Sequence, residues 1–229
     1  MPESFRILAV TATQAEADAV RRISGTTGSA EVFKAGNCSF ELLVTGVGSM
    51  STAWALSKWL SANPLPDLVI NAGIAGSYRD DIGIGEVVLP VSDCFADAGI
   101  ETMEEFVTLA EAGLQDANKF PFRNGQLTSE NKYTREFASC FKPVKAITVN
   151  TATGTDLTIK KLVRKYDPDI ETMEGAAFFY ICLRENIPFI AFRSVSNKVE
   201  PRDRSKWNIE LALKNLADKL GEFVLMINS

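Results

Sequence analysis

Short apolar runs rich in β-branched residues alternate along the chain with stretches whose apolar positions recur every three or four residues. Phe5–Val10, Phe40–Thr45, Asp67–Asn71, Glu86–Val91, Ala146–Asn150 and Pro188–Val195 carry the first pattern and read as strands. Gln14–Ile23 places Ala15, Ala19 and Ile23 on one helical face, and Ser51–Leu60 does the same with Trp54, Leu56 and Leu60. Asp156–Tyr166, the almost wholly apolar Glu174–Asn186 and the long amphipathic Ile209–Ile227 complete the helices. The strands are nearly continuous in apolar character, which predicts burial on both faces. The pattern therefore predicts an α/β fold: a single domain over residues 1–229, with a mixed, mostly parallel central sheet flanked by helices. The more polar stretch Gly99–Pro143 has no clear period and reads as an irregular excursion on that domain.

Composition narrows the chemistry. With 46% hydrophobic and 23% charged residues, the 229-residue chain is an ordinary globule. A net charge of -5 speaks against nucleic acid or an anionic membrane as partner. The opening MPESFRILAV lacks a basic segment and a long apolar run, so no signal peptide and a cytoplasmic location are expected. Cys38, Cys94, Cys140 and Cys182 are far apart and form no CxxC, so free thiols are expected. The chain has no histidine. That removes Ser-His and Cys-His pairs, imidazole metal ligands and an imidazole switch. No metal and no cofactor are expected, and acid–base work falls to carboxylates, amines, phenols or thiols.

Five polar segments interrupt the pattern where strands end. Thr13-Gln-Ala-Glu16 has capping-box spacing, and it also sits at the carboxyl edge of the first strand, where open α/β sheets bind ligands. Gly46-Val-Gly48-Ser49 is a tight strand-to-helix turn. It is a poor dinucleotide fingerprint, because Ser51 takes the third glycine position and Asp67 opens its strand instead of closing it. Asn71-Ala-Gly-Ile-Ala-Gly76-Ser77 permits close approach of a small ligand. Glu171-Thr-Met173-Glu174-Gly-Ala-Ala177 sets a carboxylate beside a very apolar helix. That carboxylate either meets the helix dipole or faces a ligand. Arg193-Ser-Val-Ser196-Asn197 ends the most apolar strand and leads into a loop with Arg202, Arg204, Lys206 and Trp207. The loop is either solvated or holds an anionic, partly aromatic ligand.

NAGIAGS, ETMEGAA and RSVSN, in that order and after TxxE, resemble the purine nucleoside phosphorylase and nucleosidase superfamily over nearly the whole chain. The resemblance implies cleavage of an N-ribosidic bond in a small-molecule nucleoside by a homo-oligomer, for which Gly99–Pro143 is a candidate contact. Phosphorylases of this group carry an arginine where this chain has Asn71, and an arginine in a Gly-rich first loop that is absent here; both departures imply water as nucleophile. The resemblance then assigns Glu16 to water activation, and Glu174 to the ribose hydroxyls and the cationic transition state. Met173 is assigned to packing on the sugar, and Arg193 to fixing a nearby carboxylate. Gly76, Ser196 and the Thr151–Gly154 turn, with Thr153 and Gly154, are expected around sugar and base. Adenine-releasing nucleosidases have Asp at the position of Asn197. An amide there implies a 6-oxopurine, hypoxanthine, and leaves the base to be protonated from solvent or a held water. The continuation SNKVEPRDRSKWNI implies a substrate with a benzoate at its 5′ end and a place in menaquinone synthesis. Trp207 is expected at the 5′ substituent, with Arg202, Arg204 or Lys206 pairing its carboxylate. The alternatives are a nucleosidase for adenine nucleosides such as methylthioadenosine, a phosphorylase, and a non-catalytic nucleoside binder.

Overall fold

Apolar side chains alternate between the two faces of the first strand: Ile7 and Ala9 pack on one side of the sheet, Leu8 and Val10 on the other. The computed structural model describes residues 5–25, 31–103, 105–201 and 203–228. In chain order these form β1 (Phe5–Thr11), α1 (Gln14–Arg21), β2 (Val32–Ala35), β3 (Cys38–Val44), α2 (Ser49–Ala62), β4 (Leu68–Ser77) and β5 (Val87–Asp93). There follow β6 (Gly99–Glu101), β7 (Phe106–Thr108), β8 (Leu127–Thr128), α3 (Lys132–Phe137), β9 (Lys142–Thr148) and α4 (Asp156–Tyr166). The chain closes with β10 (Ile170–Thr172), α5 (Gly175–Arg184), β11 (Phe189–Lys198) and α6 (Ile209–Ile227).

The main sheet runs β10-β9-β5-β11-β4-β1-β3-β2, with β8 on β5. Strands β1, β3, β4 and β11 are mutually parallel; β5 opposes β11 and β2 opposes β3. The sheet is thus mixed, within a single-domain α/β architecture. Strand β10 pairs with β9 on one side and, antiparallel, with the far end of β4 on the other. Strands β4, β11, β5, β9 and β10 therefore close into a ring. Phe40, Ile70, Phe192, Leu216, Leu220 and Phe223 fill the face under α6, while Leu56, Val69, Phe178, Phe179 and Phe189 fill the face under α2 and α5. Both faces are covered, which explains the apolar strands.

Several elements depart from expectation. Strand β4 does not stop at Asn71 but runs on through the glycine motif to Ser77. On α2, Leu56 and Leu60 are buried but Trp54 faces solvent. Residues Gly99–Pro143 contain a β6–β7 hairpin, β8 and the short helix α3, so the excursion is more ordered than its composition suggests. Cys38, Cys94 and Cys182 are buried free thiols, and Cys140 is exposed. No helix among the described residues is long and apolar enough to cross a membrane.

Candidate active site

Where the ring closes, one cavity of about 200 Å³ opens between the ends of β1, β4, β10 and β11. Glu16, Gly76, Thr153, Met173, Glu174, Ser196, Asn197 and Trp207 line it. Four separate sequence motifs therefore converge on one wall. Gly154 lies next to the lining turn but does not line the cavity, and Arg193 is buried behind it. Arg204 and Lys206 are exposed, and Lys206 pairs with Glu200 at 2.8 Å. Arg202 lies outside the described residues.

The carboxylate of Glu16 has two functions at once. Thr13 and Glu16 form the capping box of α1, with Glu16 Oε2 accepting from the Thr13 amide at 2.9 Å and the Ala12 amide at 3.1 Å. Its other oxygen, Oε1, crosses to β4 and accepts from the Ile74 amide at 3.0 Å. This crossing requires a glycine at position 73: a Cβ there would sit 2.7 Å from Glu16 Oε1. The glycine motif thus makes room for a carboxylate brought by another motif.

Glu174 occupies the N-cap position of α5 but makes no cap with its side chain. The carboxylate turns away and accepts from the Gly48 amide at 3.0 Å. Gly48 has φ of 97°, a conformation that glycine adopts without cost. The Gly46–Gly48 turn therefore presents a backbone donor to Glu174. Burial raises the Glu174 carboxyl above the ordinary glutamate range, against the attraction of Arg193.

Arg193 is fully buried on β11 and supplies the local positive charge. Its Nη1 donates to the Asn71 and Phe192 carbonyls at 3.0 and 3.1 Å, and its Nη2 to Asn71 Oδ1. Asn71 in turn donates to the Val10 carbonyl at 3.0 Å. Asn71 is thereby spent in the wall, tying β1, β4 and β11 together. Burial depresses the Arg193 pKa, while the charges of Glu174, Glu16 and Asp93 oppose that shift.

Asn197 has a fixed orientation. Its Nδ2 donates to the Lys198 carbonyl at 2.8 Å, which can only accept, so Oδ1 must face the Ser196 hydroxyl at 2.8 Å. One amide hydrogen and one lone pair remain for a ligand.

Two acidic groups at this site escaped the sequence reading. Asp93 ends β5 wholly buried; Oδ1 accepts from Thr148 at 2.9 Å and Oδ2 has no partner. Burial pushes it up to about 7, with Thr148 and Arg193 opposing and the Glu174 charge adding. Its only signal was a polar residue closing an apolar strand. Glu171 opens the ETMEGAA motif, is buried and lines the cavity. It accepts from the Thr153 amide at 2.9 Å and the Tyr78 hydroxyl at 2.7 Å. Among the described residues, no group of three or more Asp, Glu and Cys could hold a metal ion.

A model of the Phosphorylase superfamily matches residues 1–225, and the chain belongs to that superfamily. It is 35% identical to a futalosine hydrolase of Acidothermus cellulolyticus over 93% of this chain and 88% of that one. Identity to a futalosine hydrolase of Streptomyces coelicolor is 29%, over 98% and 97% of the two chains. Among solved structures, futalosine hydrolase of Helicobacter pylori strain 26695 superposes with a TM-score of 0.77 at 16% identity, covering 97% and 98% of the chains. A 5'-methylthioadenosine/S-adenosylhomocysteine nucleosidase of Neisseria meningitidis superposes equally, with a TM-score of 0.77 at 17% identity over 96% and 98%. The curated relatives are N-glycosyl hydrolases and support nucleoside hydrolysis as the chemistry of this fold.

Proposed function

We propose that this chain hydrolyses the N-ribosidic bond of futalosine in the cytoplasm and releases hypoxanthine, as a step of menaquinone biosynthesis. The observation that carries the reading is the convergence of Glu16 and Glu174, from motifs far apart in sequence, on one cavity whose described lining contains no Lys or Arg. A phosphate nucleophile calls for a cation, and the guanidinium of Arg193, buried behind the cavity, is committed to Asn71 inside the wall. Water needs only a base.

In this reading the bond between C1′ and the purine breaks with its electron pair going to the base, and the ribosyl ring becomes cationic. Glu174, held by the Gly48 amide, accepts hydrogen bonds from ribose hydroxyls and favours that cation. Glu16 orients the attacking water and takes its proton as the new C–O bond forms. Met173 packs on the sugar and Trp207 on the 5′ substituent, both from the cavity wall. Ser196 and Asn197 meet the base, the free Nδ2 hydrogen of Asn197 facing the acceptor edge formed by N7 and O6. The leaving purine takes its proton from solvent, since Asn197 is no acid. The sum is nucleoside plus water giving free base plus ribosyl product. A homo-oligomer is expected, as the family resemblance implies. Exposed Met50 and Trp54 on α2 support a second copy as the partner, checked by light scattering.

The test is incubation with futalosine, inosine and methylthioadenosine, with and without phosphate. Hypoxanthine is expected from futalosine alone, independent of phosphate. Release of adenine from methylthioadenosine or strict dependence on phosphate overturns the reading.

A further inference from the structure

Glu171 is a buried carboxylate on the wall of the cavity, and the hydrolytic steps above leave it unused. Its place is set by pairing. Gly76 on β4 is the register partner of Glu171 on β10 and also of Asn197 on β11. The two side chains therefore flank one glycine on the same rung and the same face of the ring, two strand spacings apart, roughly 10 Å between backbones. Gly76 leaves the floor between them flat. A Cβ there would stand 2.8 Å from Val199 Cγ2 and 3.3 Å from Asn197 Nδ2. A planar bicyclic base fits across that floor with one edge towards each side chain.

The hydrogen-bond inventory shows what each edge would meet. Glu171 Oε2 already accepts from the Tyr78 and Thr153 hydroxyls, and Oε1 accepts only the Thr153 amide. One lone pair of Oε1 is left, on a carboxylate that Tyr78 and the Thr151–Gly154 turn hold rigid. An ionised carboxylate accepts and cannot donate. The 6-oxopurine ring carries N1–H, a donor, on the edge adjoining the N7/O6 edge; a 6-aminopurine carries a bare N1 lone pair there.

We propose that Glu171 is a specificity-determining residue that accepts the N1–H of a 6-oxopurine, so that Glu171 and Asn197 together select hypoxanthine over adenine from adjacent edges of the base, on either side of O6. This inference rests on the nucleoside-hydrolase reading above and names what reads the base. A site built to accept a hydrogen bond rejects the analogue that lacks the donor far more strongly than a pocket that merely fits it.

The test compares futalosine with its 6-amino analogue on wild type and on Glu171→Ala. Alanine removes Oε1 and with it the acceptor for N1–H. The ratio of kcat/KM for futalosine to that for the 6-amino analogue is expected to fall at least tenfold. Equal losses on both substrates would show that Glu171 only anchors the Thr151–Gly154 turn, and the inference fails. Because the variant could misfold, product inhibition is measured on wild type as well. Hypoxanthine is expected to bind at least tenfold tighter than adenine, and equal or tighter binding of adenine overturns the proposal. If wild type leaves futalosine intact, the hydrolase reading fails; if it cleaves futalosine but shows neither selectivity, only the role of Glu171 fails.

Discussion

Charge is handled in opposite ways behind the cavity and along its rim. In its wall and behind it, Glu16, Glu174, Asp93 and Arg193 are all buried, and their side chains bond mainly to backbone amides, backbone carbonyls and neutral side chains. No direct salt bridge joins them among the described residues; the carboxylates feel Arg193 through space. Along the rim, Lys206 and Glu200 make a direct ion pair in solvent. The buried groups are oriented by fixed dipoles and cannot relax, whereas the rim pair is free to exchange partners. Deleting a buried partner leaves a charge stranded in low dielectric, at a cost of about 3–5 kcal/mol, while an exposed pair contributes about 0–1 kcal/mol.

The sharpest way to break this contrast is Glu16→Gln. Glutamine still accepts from the Thr13 amide but sets its NH2 against the Ile74 amide, so the fold is expected to survive with a loss of about 1–3 kcal/mol, and it cannot take a proton from water. Turnover should drop by about 10²–10⁴-fold. If turnover survives and only the melting temperature falls, the capping box is the whole function of Glu16. Next comes Arg193→Met, which leaves Asn71 Oδ1 and two backbone carbonyls without their donor and removes a buried cation that acts on three carboxyls. Thermal unfolding is expected to show a loss of about 3–5 kcal/mol. At roughly 2–4 °C per kcal/mol for this chain length, that is about 10 °C in Tm. A loss below about 1 kcal/mol would mean that the carboxyls do not rely on Arg193.

A smaller effect follows from pH, and the absence of histidine isolates it. Asp93 sits at about 7 in the folded state, above the ordinary carboxyl value of about 3.9 expected once unfolded. A carboxyl raised in this way contributes stability that is complete below the unfolded value and is lost as pH rises through about 7. Between pH 6 and 8 the fold should therefore lose about 1.4 kcal/mol, and Asp93→Asn should flatten most of that slope. Glu174 is raised in the same direction and adds to it. Asp81, Asp167 and Glu111, which are lowered by neighbouring cations, act with the opposite sign, but only at more acid pH. Activity should run against stability, because Glu174 must be ionised to favour the ribosyl cation. Acidification through its raised pKa is expected to reduce kcat/KM while Tm climbs. A Tm that rises from pH 6 to pH 8 contradicts the burial of Asp93 as an acid.

Much of this arrangement was legible in the sequence where local chemistry dictates local structure. Helices Asp156–Tyr166 and Ile209–Ile227 have the expected bounds, because each begins at a side-chain cap, Thr155 and Asn208, and keeps one periodic apolar face. Asn71 marked the expected end of a strand, yet β4 continues six residues further. Glycines normally end strands, but here the missing side chains are what let Glu16 and Asn197 approach β4. Strand β10 was legible only as a strand without bounds ahead of the Glu174 helix. Its three residues, Ile-Glu-Thr, carry no apolar run, and its existence depends on β4 and β9 offering edges on both sides. Glu171 went unread for the same reason, since its neighbourhood exists only once the ring closes. The carboxyl-edge rule accounts for Glu16 and Asn197; Glu174 reaches the same cavity because β10 returns antiparallel across the end of β4.

The weakest effects belong to the rim, and they separate surface charge from substrate contact. Arg204 and Lys206 flank the short turn that leads into Trp207, a residue of the cavity wall. The ion pair holding Lys206 to Glu200 is exposed on both sides, so Lys206→Ala should change stability by less than about 0.5 kcal/mol. A carboxylate at the 5′ end of a bound nucleoside would compete for that cation and for Arg204. Each of Arg204→Ala and Lys206→Ala is then expected to raise KM for futalosine up to about fivefold, the worth of roughly 1 kcal/mol at a solvated site, with kcat unchanged. Inosine, which lacks the 5′ carboxylate, provides the control, and raised salt should erode the difference. If Arg204→Ala, Lys206→Ala and Arg202→Ala all leave KM for futalosine unchanged, the basic loop is a solvated surface and the 5′ end is recognised by Trp207 and the cavity wall alone.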